Sequence, residues 1–363
     1  MDEPVYVVFN PHSGKGRGAQ FVAPVLQGLS GARRLEHGLT RGPGDEARLA
    51  TEAIQRGFRR IVAVGGDGTW SNVGNAILQS GVPATLGLVP GGTGCDLAKT
   101  LGVPARDVAG CCRIALGDTT RTIDAGRIED KYFLNIAGFG YDVAVLEDSW
   151  GVGYLEGSAL YLYCALRQLG SYRGFPLEGE VDGRPFGKRD MLMVIVANAR
   201  VFGGGFRIAP HADVEDGKLE AVAFGNMGFG GRVSVLVRLL RGTHLKHPRV
   251  SAVAASRLVY RFAAPPAYET DGEWNRARSA EIVVEAVAFG NMGLGGRVSA
   301  LVRLLRGTHL AHPRVSAASA KRLVYRFAAP PAYETDGEWN QARSAEVVIE
   351  AVPRALRVLV PAR

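Results

Sequence analysis

The sequence predicts an α/β domain built on a parallel sheet, followed by an antiparallel β-sandwich domain that contains a 65-residue tandem repeat. Three observations predict it. Short apolar runs alternate with helical patterns up to about Arg121, and each of three runs ends in a glycine-rich turn. After Arg121 short strands broken by glycine clusters dominate. Within that second part, residues 220–284 recur as residues 285–349 with nine differences, at 229, 235, 246, 253, 254, 256, 276, 282 and 284. The expected division is residues 1–122 and 123–363, with a terminal strand at 355–360 that returns to the first domain and finishes the fold.

Val5–Phe9 is a buried-strand pattern running into Asn10-Pro11-His12-Ser13-Gly14-Lys15-Gly16, and Ala19–Leu29 has helical spacing. Gly44–Arg56 predicts a second helix. Arg60–Val64 is an apolar strand running into Gly65-Gly66-Asp67-Gly68-Thr69, with a helix expected at Asn72–Ser80. Ala84–Val89 is a strand running into Pro90-Gly91-Gly92-Thr93-Gly94-Cys95-Asp96. In the second part, strands are expected at Arg121–Arg127, Lys131–Ile136, Met191–Ala197, Leu219–Phe224, Arg257–Phe262 and Ala280–Val287, with a helix at Leu155–Leu169. Strand ends that meet helix N-termini through glycine expose backbone N–H groups to an anion, and three such turns together point to a nucleotide. No GxxxxGK[ST] or GxGxxG pattern is present, which excludes a P-loop and the dinucleotide fingerprint.

Composition bounds the partners. The chain is 47% apolar and 21% charged with a net charge of +8, and this attracts a nucleotide, a nucleic acid or an acidic membrane face without choosing among them. Cys95, Cys111, Cys112 and Cys164 form no CxxC and no Cys/His ligand spacing, so reduced thiols of a cytosolic protein are expected. The opening Met1-Asp2-Glu3-Pro4 lacks a secretory pattern, and no apolar run approaches the ~18 residues of a spanning helix. In each repeat a helix sets Val233, Leu236, Val237 and Leu240 on one side and Arg232, Arg238 and Arg241 on the other. Such a helix either lies on anionic lipid or packs its apolar side on the β domain.

These motifs, in this order, resemble the diacylglycerol kinase-like lipid kinases, which include sphingosine kinases. The resemblance rests on the three glycine-rich turns, on Tyr132-Phe133-Leu134-Asn135-Ile136-Ala137-Gly138-Phe139-Gly140, on Asp216-Gly217 and on the Asp-Gly-Glu motif. It implies a first domain like that of NAD kinases, and a cytoplasmic, peripherally membrane-associated enzyme. The implied reaction is an ATP- and Mg2+-dependent phosphorylation of a lipid hydroxyl, foremost that of diacylglycerol. Alternatives are a sphingoid-base or other lipid kinase, an NAD kinase, or a catalytically impaired lipid- or nucleotide-binding protein. The implied partners are a lipid at the membrane surface and no nucleic acid.

Carried over residue by residue, Asn10, Pro11, His12, Ser13, Gly14 and Lys15 would hold the ATP phosphates. Thr40, Gly65, Gly66, Asp67, Gly68, Thr69, Asn72, Gly92 and Thr93 would contact the nucleotide, with Asp67 near Mg-ATP. Asn72 stands where many relatives have Glu, and Cys95 where many have Asn. A structural magnesium would fall on Asp213, Asp216 and the backbone of Lys218, although a plain turn is the alternative for Asp216-Gly217. The glutamate of Asp-Gly-Glu would be the general base, held through water by Asp124, and the repeat supplies two candidates, Glu273 and Glu338. One strand cannot occupy two places in a sheet. One block is therefore supernumerary: looped out, docked as an extra subdomain, or exchanged in a homodimer. Copy one, which emerges first, is the expected working block.

Overall fold

Every residue of Val5–Phe9 is buried, as a strand covered on both faces requires. It is β1 of the first sheet. After it come α1 (Val22–Gly28), β2 (Leu35–Leu39), α2 (Asp45–Gln55), β3 (Arg60–Gly65), α3 (Asp67–Ser80), β4 (Ala84–Pro90), α4 (Asp96–Leu101), α5 (Val108–Leu116) and β5 (Thr120–Arg121). The computed structural model describes residues 3–14, 16–42, 44–152, 157–287, 322–326, 332–335, 338–341, 346–350 and 356–359. β2, β1, β3 and β4 pair in parallel in that order. One core cluster joins this sheet to its helices, with Trp70 fully buried and its indole N–H donated to Ala63 O at 3.1 Å.

The second part begins with β6 (Ala125–Ile128), β7 (Lys131–Phe133), β8 (Ile136–Gly140), α6 (Tyr141–Ser149), α7 (Gly157–Ser171), β9 (Phe175–Val181) and β10 (Arg184–Ala197). It continues through β11 (Leu219–Gly225), α8 (Phe229–Leu240), β12 (Val250–Ala255), β13 (Arg257–Arg261), β14 (Ala267–Thr270), β15 (Glu273–Arg276) and β16 (Glu281–Val287). These strands form one eleven-stranded sheet, antiparallel at every pairing. β10 shows why it has two dry faces. Val194 and Val196 enter a cluster with the aromatic side of β13 and β14, while Met193, Ile195 and Ala197 enter one that includes Val235 of α8, as alternation along a strand dictates.

Copy two contributes β17 (Arg322–Arg326), β18 (Ala332–Thr335), β19 (Glu338–Gln341) and β20 (Glu346–Glu350) as two separate two-stranded ladders, β17 with β20 and β18 with β19. The chain then supplies β21 (Leu356–Leu359), which inserts into the first sheet parallel to β4 and antiparallel to β5. No helix among the described residues is long and apolar enough to cross a membrane.

Among the local boundaries that differ from the sequence expectation, three bear on the site. α3 starts at Asp67 rather than Asn72, because Gly66 ends β3 in an extended conformation and the glycine-rich turn becomes the first turn of the helix. The expected strand Arg121–Arg127 is two strands in two sheets, β5 and β6. The expected strand Lys131–Ile136 breaks at Leu134-Asn135, whose backbone N–H groups turn to a carboxylate instead of a ladder.

Candidate active site

The three glycine-rich turns of the first sheet meet backbone to backbone. A Cβ on Gly14 would lie 2.3 Å from Gly91 O, and one on Gly92 would lie 2.5 Å from Gly66 Cα. No other residue fits at either contact, so glycine here sets how closely the turns converge. The first turn is held by its own side chains. Asn10 Nδ2 donates to Glu46 Oε1 at 3.0 Å and to Thr69 Oγ1 at 3.1 Å, and Asn10 Oδ1 accepts from the amide of His12. Ser13 Oγ donates to Asn10 O at 2.8 Å. Glu46, a residue sequence reasoning passed over, is buried. Its Oε2 has no hydrogen-bond partner among the described residues, and burial, the largest cause, raises its carboxyl above the usual range. Thr40 is buried beside β1 with its N–H on Phe9 O. His12 and Thr93 are exposed at the turn tips, and Pro11 is half-buried. Gly65 O accepts the amides of Gly91 and Gly92. Lys15 lies outside the described residues.

Asp67, expected near Mg-ATP, stands at the start of α3. Its Oδ1 accepts the Leu97 amide at 3.1 Å at the start of α4, and burial is the main cause that raises its carboxyl. It is a clamp between the second and third turns. Asp96 makes a second clamp: Oδ2 accepts from Gly204 N at 2.7 Å, and Oδ1 pairs with Lys99, whose ammonium also reaches Gly204 O. The glycine loop of the second sheet is thereby tied to the third turn.

α3 connects the two sheets. Asn72, Asn75 and Gln79 fall on one helical face at i, i+3 and i+7 and all point at the second sheet. Asn75 exchanges two hydrogen bonds with the backbone of Tyr132, and Gln79 donates to Asp130 O. Asn72 Nδ2 donates to Glu273 Oε1 at 2.7 Å. The Asp-Gly-Glu glutamate of copy one thus stands against the helix that begins with the second glycine-rich turn, and a Cβ on Gly68 would lie 3.8 Å from its Oε1. Its other oxygen pairs with Lys131 Nζ at 2.6 Å, and Lys131 also donates to Asn275 Oδ1. Lys131 was missed in the sequence; its position immediately before Tyr132-Phe133-Leu134-Asn135 was the available signal. A cavity of about 390 Å3 opens beside this pair, lined by Asn72, Asn75, Lys131, Tyr268, Asn275 and Arg276 among others.

Asp271 positions that glutamate. Buried at a left-handed φ of 51°, its carboxylate accepts the amides of Leu134, Asn135 and Ile136 at 2.8–2.9 Å. Burial pushes its carboxyl up to about 6, with the amides opposing, so at neutral pH it is the ionised acceptor that this cradle demands. Glu338 begins β19 in the separate β18–β19 ladder.

Asp124, expected behind the glutamate, packs against the 213–217 turn. Its Oδ2 accepts the Gly217 amide at 2.7 Å and its own amide donates to Val214 O, because the chain crosses under the 213–217 turn before entering β6. Asp213 and Asp216 cap that turn on the amides of Glu215 and Lys218, and with Lys218 they line a separate cavity of about 210 Å3. Asp124 Oδ1 is buried without a hydrogen-bond partner, and burial followed by the charges of Asp216, Asp213 and Glu215 pushes its carboxyl up to about 7. An orphaned carboxylate oxygen behind an all-oxygen acidic turn fits a hard divalent cation. Among the described residues no three ligating side chains converge, so any such ion would be held by one or two carboxylates, backbone and water, as Mg2+ usually is.

Comparison with known proteins assigns both parts. The diacylglycerol kinase catalytic domain family matches residues 4–128, and the YegS C-terminal NAD kinase beta sandwich-like domain family matches residues 135–290, ending six residues into copy two. A diacylglycerol kinase of Bacillus subtilis is 30% identical over 286 residues, spanning 76% of this chain and 92% of that protein. A diacylglycerol kinase of Mycobacterium tuberculosis is 28% identical over 263 residues, 69% of this chain and 82% of its own. A solved structure from Bacillus anthracis shares the fold, with a TM-score of 0.66 at 20% identity over 79% of this chain and 93% of that one.

Proposed function

The chain belongs to the diacylglycerol kinase-like lipid kinases, and we propose that it transfers the γ-phosphate of ATP, in the presence of Mg2+, to the hydroxyl of diacylglycerol, giving phosphatidic acid. The observation that carries this reading is the meeting of Glu273 with Asn72, which joins a carboxylate from the second sheet to the helix that starts at the nucleotide turn. The three turns offer backbone N–H groups and space for phosphates. An aliphatic hydroxyl ionises far above neutral pH, so the proton must leave as the new bond forms. In the proposed step the lipid oxygen bonds to the γ-phosphorus, the bond from that phosphorus to ADP breaks, and the hydroxyl proton passes to Glu273. Asn72 and Lys131 orient the carboxylate for it.

Asp213, Asp216 and the backbone around Lys218 would hold a magnesium ion, with Asp124 behind them; bound there, it would offset the acidic turn. A cation carried by the nucleotide would supply charge neutralisation at the phosphates.

The test is transfer from labelled ATP to diacylglycerol, a sphingoid base, phosphatidylglycerol and NAD in parallel. Label in phosphatidic acid is expected. Label in NAD with none in lipid, or binding of ATP and lipid without transfer, would overturn the proposal.

A further inference from the structure

Helix α8 turns Val233, Val237 and Leu240 of its apolar stripe outward, with Leu236 half-buried. The sequence pattern allowed the stripe of Val233, Leu236, Val237 and Leu240 to pack on the β domain, but the side that packs is the one carrying Arg232. That arginine is buried, and its guanidinium donates to Met227 O at 2.8 Å, Leu169 O at 2.8 Å and Asn226 Oδ1 at 3.1 Å. Three acceptors converging on one guanidinium make this seat specific for arginine. Phe229 and Leu240 are left 63% exposed, with Val233 and Val237 between them. α7 lies alongside, since the carbonyl of its Leu169 receives Arg232, and it adds Leu162 and Leu166 to the surface, the latter 52% exposed. Single exposed apolar side chains need no explanation, but a run shared by two neighbouring helices does.

Its surroundings identify the occupant. From Asn226 to Ser256 the chain has no Asp or Glu and five Arg or Lys, and α7 carries one Arg and no acid. Arg232 is buried and Arg167 is paired with Asp148, which leaves Arg238, Arg241, Lys246 and Arg249 beside the apolar face, a charge complementary to an anionic lipid surface. The face is also continuous with the active site. α6 packs on α7 through Val145, Val152, Cys164 and Ala165, and an Arg167–Asp148 ion pair spans the two helices. Trp150, just past α6, is 65% exposed and meets Trp274 edge to face at 6.0 Å, one residue after Glu273. The Trp274 indole N–H is anchored on Glu147 of α6 at 2.9 Å.

We propose that the outward face of α7 and α8 docks on an anionic bilayer and leads its lipid to Glu273 along the Trp150–Trp274 edge. This rests on the reading that the substrate is a lipid. The test uses the full chain and sedimentation with vesicles of phosphatidylglycerol and phosphatidylcholine, against phosphatidylcholine alone. The variant Leu166→Ser/Leu240→Ser alters only exposed side chains, and Leu166 lies outside the repeat, so copy two holds no second version of it. The wild type should partition onto the anionic vesicles, less so as salt rises, and the variant should lose roughly tenfold or more in partitioning. Its activity on a short-chain, water-soluble diacylglycerol should stay within about twofold.

Equal sedimentation of variant and wild type would overturn the proposal, as would a wild type that ignores anionic vesicles. So would a wild-type dimer that the variant converts to monomer, which would make the face a contact between copies. If instead vesicle binding responds as expected but no lipid is phosphorylated, the reaction assigned above fails and the docking surface stands.

Discussion

The two copies of the repeat build the same ladders and differ in what those ladders join. β13 pairs with β16 as Arg257↔Glu285, and β17 pairs with β20 as Arg322↔Glu350, the same register displaced by the repeat. The β14–β15 and β18–β19 hairpins match in the same way. In copy one, however, β13 also pairs with β9, β16 with β6 and β14 with β8. Among the described residues β17 to β20 pair only with one another. Local pairing is therefore written in the segment, whereas a place in the sheet depends on edges that one copy already fills.

The catalytic consequence is the largest. Glu273 is tied to Asn72 of α3 on the first-domain side of the cleft and to Lys131 of β7. Glu273→Gln should lower kcat by ~10²–10⁴-fold, as loss of a general base does, and Glu338→Gln should stay within about twofold. A lipid kinase assay on the two variants sharpens the comparison, and a dead Glu338→Gln enzyme would break it.

Next in size is a pH effect. Asp271 has a folded pKa of about 6, above its ordinary 3.8, so the folded chain binds its proton more tightly than the unfolded chain does. That stability is fully present below pH ~4 and is lost as pH rises through ~6, by at most about 3 kcal/mol. Urea unfolding between pH 4 and 6.5 should show the slope in wild type, and Asp271→Asn should remove it. Asp336→Asn, the corresponding change in copy two, should leave it intact; removal of the slope by that variant would mean the second turn is cradled as the first is.

Lys131→Met should cost roughly tenfold in kcat, about 1.4 kcal/mol of barrier, because Asn72 still orients one oxygen of Glu273. A full-length Lys131→Met enzyme with undiminished activity would show that the carboxylate doing the work is not the one Lys131 holds.

The first sheet was legible because each apolar run ends at a glycine turn, and the turns are brought together by contacts that only glycine permits. The repeat was legible as sequence, but its inequality was not, since identical segments differ only in the neighbours they reach. Periodicity showed that α8 has two faces without showing which one packs; three backbone and amide acceptors drawn from Leu169, Asn226 and Met227 decide that, and Leu169 comes from a distant part of the chain. Asp67 and Asp124 read as site carboxylates, and their amide partners, at Leu97 and Gly217, come from distant segments that no local pattern records.

The smallest expected effect is the deletion of residues 285–349, leaving 298 residues. The cut joins Val284 to Glu350-Ala351-Val352, the same residues as the Glu285-Ala286-Val287 now paired with β6, so the end of β16 is rebuilt without a change of chemistry. The path beyond it also closes. Val287 sits opposite Ala125, and Val358 sits opposite Arg121, both antiparallel. In the shortened chain six residues would lead from Val352 to Val358 alongside the four from Ala125 to Arg121, and an extended residue reaches ~3.3 Å or more, so the crossing has slack. Copy two thus enters where the chain passes from one sheet to the other, and its removal should leave lipid kinase activity within about threefold and Tm within a few degrees. Loss of folding or of activity would show that copy two supplies something β13 to β16 do not, and would end the assignment of copy one as the working block.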